Sequence, residues 1–312
     1  MRVAVVDLGT NTTRLLVADV EDGLVQEVAR HTRITRLGEG VDARRRLLPV
    51  AIARVRNCLA DYRRELESLG AERVLAVATS AIRDAENGEA FLGEVEWSYG
   101  FTTRLLSGEE EAELTLRGVG NVDESTLVVD IGGGSTELVG EALHLTTDLG
   151  SVRLTERFMT SDPPSDGELS ACAAAIRSVL AERVPDEARV RIERAIGVAG
   201  TITSIAALDL GLVDYDSERV HGHRLFVSAV DEQLRRLAAL PLAERRQVPG
   251  LEPERAPVIV AGAIILREIL RHFGLEAIEA SERDLLHGAA IEAADLPAPV
   301  EGDAPPGAYT CC

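Results

Sequence analysis

Residues 5–16 read VVDLGTNTTRLL and residues 128–139 read VVDIGGGSTELV. At a shift of 123 positions, Val5, Val6, Asp7, Gly9 and Thr13 fall on Val128, Val129, Asp130, Gly132 and Thr136, with Thr12 opposite Ser135. Each copy is a short apolar strand, an aspartate, a glycine-bearing polar turn and a second apolar strand, the pattern of a β-hairpin with a functional tip. Glycines let backbone N–H groups approach an anion, Thr and Ser hydroxyls add donors, and a carboxylate at the strand end can hold a divalent cation through water. The ligand such a tip suits is a phosphate chain with magnesium. One D-x-G-x-x-T turn is commonplace; two in register are specific. The copies differ where the first has Arg14 and the second Glu137, so the second hairpin carries two carboxylates, Asp130 and Glu137, as a metal site requires.

Two further stretches offer chemistry. The acidic run SGEEEAEL at 107–114 lies between the hairpins. It reads either as a charged, solvent-facing first helical turn or as the source of a general base that deprotonates water for in-line attack on phosphorus. GVAGTITSIAAL at 197–208 sets Gly200, Thr201 and Thr203 at a strand-to-helix turn, where a helix N-terminus faces an anion. Residues 30–64 hold ten arginines against Glu39, Asp42 and Asp61, a local net of +7. That segment is either a track for an anionic ligand or the solvated face of a helix over 50–69.

The elements that must position these residues alternate in an α/β order. After the first hairpin, strands are expected near 24–34, over 74–77 and near 102–106, with helices over 50–69, from Ser80 and from Ser107. The second half repeats the three-strand opening over 126–149. Helices near 165–183, a strand Arg194–Val198, and helices near 201–209, 228–239, 255–273 and 284–294 follow. Domains are expected over 1–118 and 119–295, with residues 296–312 a disordered tail rich in Pro, Gly and Ala.

Composition narrows the class. The chain has 312 residues, 46% of them apolar, enough for two cores, and no apolar run approaches the roughly 20 residues needed to cross a bilayer. No leader precedes the first strand, and Cys58, Cys172, Cys311 and Cys312 are too scattered for a disulfide framework or zinc site, so a cytoplasmic protein is expected. The terminal Cys-Cys pair is not taken as a prenylation signal. The net charge is −19, and all 33 basic residues are arginine. Absence of lysine excludes a Walker A loop and Schiff-base chemistry, and the acidic surface argues against nucleic acid as a partner. Most of the acidity falls after residue 120.

DLGTNTTRLL, ATSAIRDAEN at 78–87, SGEEEA, VVDIGGGSTE, GVAGTITSIAAL, HGHRL at 221–225 and SERDLLHGAAIE at 281–292 stand in the order of the exopolyphosphatase/guanosine pentaphosphate phosphatase (Ppx/GppA) family. The resemblance runs from residue 3 to about 294. It implies duplicated ribonuclease H-like domains of the actin-like ATPase superfold, with an active-site cleft between them. By that resemblance Glu111 is the general base. Asp130 and Glu137, with Gly132, Gly133, Gly134 and Ser135, form the second phosphate motif, and Asp7, Gly9, Thr10, Asn11 and Thr12 the first. Arg83 is the arginine of the ATSAIRDAEN block. Mg²⁺ or Mn²⁺ on Asp130, Glu137 and Asp7 is implied, as is a homodimer. The chain is similar to the short, two-domain members, and departs from many in having Leu286-His287 where they have Arg-Glu.

The expected activity is metal-dependent release of terminal orthophosphate from inorganic polyphosphate or guanosine pentaphosphate, with Arg83, Gly200 and Thr201 among the phosphate contacts. Two alternatives stand beside it. A small-molecule kinase of the same superfold would consume ATP only with an added acceptor. A non-catalytic guanosine penta- or tetraphosphate sensor would bind ligand without releasing phosphate, and would not need the acidic trio Glu111, Asp130 and Glu137.

Overall fold

The structure, a computed structural model, describes residues 1–297. It divides into two compact units, residues 1–118 with the chain from Leu285 onward, and Val119–Asp284. The expected disordered tail lies, beyond Pro297, outside the described residues, as do Cys311 and Cys312.

The first unit runs β1 (Arg2–Leu8), β2 (Thr12–Glu21), β3 (Leu24–Ile34), α1 (Val41–Arg44), α2 (Pro49–Ser68), β4 (Arg73–Ala78), α3 (Ser80–Arg83), α4 (Gly88–Tyr99), β5 (Thr102–Leu105) and α5 (Gly108–Val119). Its five-stranded sheet has the order β3-β2-β1-β4-β5, antiparallel through β1 to β3, with β4 and β5 parallel to β1. Period-two alternation divides β1 between two cores. Ala4, Val6 and Leu8 face Val55, Leu59 and Tyr62 of α2 and Phe91 and Val95 of α4, while Val3 and Val5 face the opposite side.

The second unit runs β6 (Thr126–Ile131), β7 (Thr136–Gly140), β8 (Leu143–Thr147), α6 (Ser151–Phe158), α7 (Asp166–Arg183), α8 (Asp186–Arg191), β9 (Arg194–Val198), α9 (Ala199–Asp209), α10 (Ser217–Val220), β10 (Arg224–Phe226), α11 (Val227–Ala238), α12 (Leu242–Arg245), α13 (Ile259–Phe273) and β11 (Ala277–Ala280). Its six strands are ordered β10-β11-β9-β6-β7-β8, with β9 and β11 parallel to β6. The order β8-β7-β6-β9-β11 repeats β3-β2-β1-β4-β5, so the two units are copies of one ribonuclease H-like plan, the actin-like duplication expected. The apolar run from Pro257 becomes α13, whose residues Ile259–Leu266 are all buried, its charged residues falling in the C-terminal half.

The last helix, α14 (Leu285–Asp295), corrects the expected domain boundary at 295. It belongs to the first unit, where Leu285, Leu286, Ala289, Ala290 and Ala293 cover Val3, Val5, Leu16, Ala18, Leu75 and Val77. Without it one face of the first sheet keeps only Leu106 and Leu114 as apolar cover, so the chain returns after the second unit to complete that face. Gly288 permits the approach: a Cβ there would lie 1.9 Å from the Leu114 carbonyl oxygen of α5.

Candidate active site

In open α/β sheets ligands bind beyond the carboxyl ends of parallel strands. In the first unit Leu8 pairs with Ala78, and Ala78 with Leu105, so β1, β4 and β5 end together. The Gly9–Thr12 turn, the Thr79–Arg83 segment and the Ser107–Glu111 segment therefore leave one sheet edge. In the second unit β6, β9 and β11 end the same way, releasing the Gly132–Ser135 turn, the start of α9 and the Ser281–Asp284 loop.

The two hairpin turns share one hydrogen-bond scheme. Gly9 N–H donates to the Thr12 carbonyl at 3.0 Å, and Gly132 N–H to the Ser135 carbonyl at 3.0 Å. A Cβ on Gly9 would lie 2.9 Å from that Thr12 oxygen, which is why glycine stands at this step. The turn carbonyls are drawn to one side. Gly38 N–H donates to Thr10 at 2.8 Å, and the Thr35 and Arg36 N–H groups donate to Asn11 at 3.0 and 2.9 Å. In the second unit the first turn of α6 does this: Ser151 N–H donates to the Gly132 carbonyl at 3.0 Å, Val152 N–H to Gly133 at 2.8 Å, and Arg153 Nε to Gly134 at 2.8 Å. In a trans peptide the N–H points opposite to the C=O. The N–H groups of Asn11 and Thr12, and of Gly133, Gly134 and Ser135, are thereby presented on the other side, as an anion nest.

Behind each turn stands a cross-strand pair. Asp7 faces Arg14, and Arg14 Nε meets Asp7 Oδ2 at 2.8 Å. Asp130 faces Glu137, and both are buried, 7% and 0% exposed. Two carboxylates directly opposite in a sheet repel one another and favour a cation or proton between them. Magnesium is commonly bound by one or two carboxylates with water and substrate phosphate completing the shell, and the Asp130–Glu137 pair fits that requirement. On the first hairpin, by contrast, one oxygen of Asp7 is already taken by Arg14.

The acidic run resolves into different roles. Glu109 and Glu113 are exposed. Glu110 closes a capping box with Ser107, accepting its N–H at 2.8 Å while Glu110 N–H donates to Ser107 Oγ at 3.2 Å. The Arg104 guanidinium, and next the Ser107 N–H, hold the Glu110 carboxyl below its ordinary pKa, as befits a structural anion. Glu111 alone of the three consecutive acids is buried, 8% exposed, with Arg83 Nη1 at 3.4 Å from its Oε2. Arg83 is itself anchored on the Leu106 carbonyl at 2.6 Å. The solvent-facing reading thus describes Glu109 and Glu113, while Glu111 is the buried acid of the run.

At the start of α9, Gly262 of α13 seats Thr201: a Cβ on Gly262 would lie 2.6 Å from the Thr201 Cγ2. Ala199 takes φ 65°, a left-handed strain tolerated where a turn must be tight. Sequence reasoning missed Arg255, whose guanidinium lies so close to Gly200 that a Cβ there would be 2.1 Å from Nη1. It is 55 residues distant in sequence, and no local pattern points to it. His287, one of the two residues at which the closing block departs from many family members, pairs through Nε2 with Glu27 at 2.9 Å.

A model of the Ppx/GppA phosphatase family matches residues 16–296. The chain belongs to that family. Its Ppx/GppA relatives include Exopolyphosphatase 2 of Mycobacterium tuberculosis, 40% identical over 318 residues, covering 94% of this chain and 98% of that one. A guanosine-5'-triphosphate,3'-diphosphate pyrophosphatase of Aeromonas hydrophila is 30% identical over 283 residues, covering 88% of this chain and 56% of that protein. Among solved structures, an exopolyphosphatase-like protein matches at TM-score 0.86 and 32% identity, covering 94% of this chain and 98% of that chain. The Ppx/GppA family member of Aquifex aeolicus matches at TM-score 0.76 and 31% identity, covering 94% and 97%. Among the described residues no helix is long and apolar enough to cross a membrane.

Proposed function

We infer that this chain is a phosphoanhydride hydrolase that releases terminal orthophosphate from inorganic polyphosphate or guanosine pentaphosphate. The observation that carries the reading is Glu111, the buried acid of its run, held beside Arg83 at the sheet edge that also bears a phosphate-type turn. The near full-length match to a relative named as an exopolyphosphatase supports it.

The roles follow from chemistry. The Glu111 carboxylate accepts a proton from water as the water oxygen attacks the terminal phosphorus, and the breaking P–O bond leaves its electron pair on the departing phosphate. The amides of Gly133, Gly134 and Ser135 bind phosphoryl oxygens, and Arg83 adds a fixed positive charge. Asp130 and Glu137 are the residues that would hold Mg²⁺ or Mn²⁺, which when bound neutralises charge on the phosphate oxygens.

The test is phosphate release from long polyphosphate, triphosphate and guanosine pentaphosphate by wild type and Glu111→Gln. The substitution is expected to lower kcat by roughly 10²–10⁴ with KM little changed. A near-wild-type rate would remove Glu111 from the mechanism, and tight guanosine pentaphosphate binding by wild type without phosphate release would make the protein a sensor.

A further inference from the structure

The arginine-rich segment is not uniform. Of its ten arginines, six lie in ion pairs: Arg30 with Glu27 at 3.6 Å, Arg54 with Glu39 at 2.8 Å, Arg56 with Glu94 at 2.6 Å, Arg63 with Glu67 at 2.5 Å, and both Arg33 and Arg64 with Asp61. Arg36 has partners of its own. Arg44, Arg45 and Arg46 are exposed, and among the described residues they alone of the ten make no ion pair or side-chain hydrogen bond.

Their backbone, by contrast, is firmly held. Arg45 adopts φ 53° and caps α1, donating its N–H to the Val41 carbonyl at 2.8 Å. Its carbonyl accepts from Glu86 N–H at 2.8 Å, while Leu47 N–H donates to Asn87 Oδ1 at 2.8 Å and Asn87 Nδ2 to the Leu47 carbonyl at 3.1 Å. Leu47 is itself buried. The knuckle is thus fastened to the loop that begins at Arg83. Glu86 is three residues beyond Arg83, so their Cα atoms are at most about 11 Å apart. Three consecutive guanidinium groups without carboxylate partners repel one another, and a left-handed arginine adds backbone strain. An extended phosphate chain relieves the repulsion, its oxygens matching the guanidinium forks.

We propose that Arg44, Arg45 and Arg46 form a second anion subsite, which holds the inner phosphates of a linear polyphosphate while the terminal phosphate is cleaved. The proposal rests on the hydrolase reading above and selects the polymer as the substrate class, because triphosphate offers no long inner chain. The seven other arginines of the segment serve the surface, not the ligand.

The experiment compares the full-length protein with R44Q/R45Q/R46Q, and with R56Q/R63Q/R64Q as a control that removes equal charge from paired arginines. For R44Q/R45Q/R46Q, the KM for long polyphosphate is expected to rise about tenfold or more, with kcat and the KM for triphosphate within about twofold of wild type. The salt dependence of kcat/KM on the long chain also becomes shallower. The control is expected to stay within about twofold on both substrates. An unchanged long-chain KM, or an equal rise for both substrates or in both variants, overturns the subsite. If wild type releases no phosphate at all, the hydrolase reading fails separately. Equilibrium binding of long polyphosphate then decides: loss in R44Q/R45Q/R46Q alone supports the subsite, and equal binding by all three proteins overturns it.

Discussion

Arg14 and Glu137 hold the same place in the two copies of the hairpin, and their opposite charges give the turns opposite needs. In the first, the counter-charge is covalently built in: Arg14 is 14% and Asp7 5% exposed at the side chain. Breaking so buried a pair from one side is costly, and Arg14→Ala should destabilise the protein by about 3–5 kcal/mol. Chemical denaturation checks this, and a loss under about 1 kcal/mol would place the pair among weak surface bridges. In the second hairpin two carboxylates face one another, Asp130 and Glu137, a pairing that a bound cation would favour. Glu137→Gln removes one of two facing carboxylates, so stability without Mg²⁺ is expected to be unchanged or higher, while the Mg²⁺-induced rise in Tm is lost. A metal-dependent Tm rise that survives the substitution would move the cation elsewhere.

At the scale of elements, each turn is held by the segment that follows the third strand of its sheet. Gly150, the residue before α6, shows how tightly: a Cβ there would lie 2.3 Å from both the Gly133 carbonyl oxygen and the Gly134 carbonyl carbon. Gly150→Ala is therefore expected to push the turn away from α6, costing about 1–3 kcal/mol and raising KM for every phosphate substrate. Steady-state kinetics that leave KM unchanged would show that the turn does not set phosphate affinity. The hairpins themselves were legible because strand–turn–strand chemistry is written in contiguous residues and the repeat exposed it. The supports were not. The segment SVRLTERF has too few turns to show helical periodicity, and β10 and β11 are three and four residues long. The helix expected from Ser80 is one turn, then restarts at Gly88, where a Cβ would lie 1.9 Å from the Ile82 carbonyl oxygen. The burial of Glu111 among its neighbours, and the approach of Arg255 to Gly200, are tertiary facts that no local pattern encodes.

At the scale of the molecule, the boundary read from contiguity fails because a sheet needs cover on both faces, not because the sequence of α14 is ambiguous. Truncation after residue 284 should leave Val3, Val5, Leu16 and Val77 bare, giving a chain that aggregates or binds a hydrophobic dye, whereas truncation after residue 297 should not. Dispersion and dye binding measured on the two truncations check this; a well-behaved protein ending at residue 284 would show α14 to be dispensable. The same arrangement has a consequence for synthesis. A ribosome delivers β1 to β5 first, yet one face of their sheet lacks the cover of α14 until 166 further residues, Val119–Asp284, have emerged and Leu285 follows. Throughout that interval the nascent chain carries an uncovered apolar surface, the condition under which chaperones act. The second unit has its own sheet and core ready beforehand. The half that is made first is thus the half that is finished last.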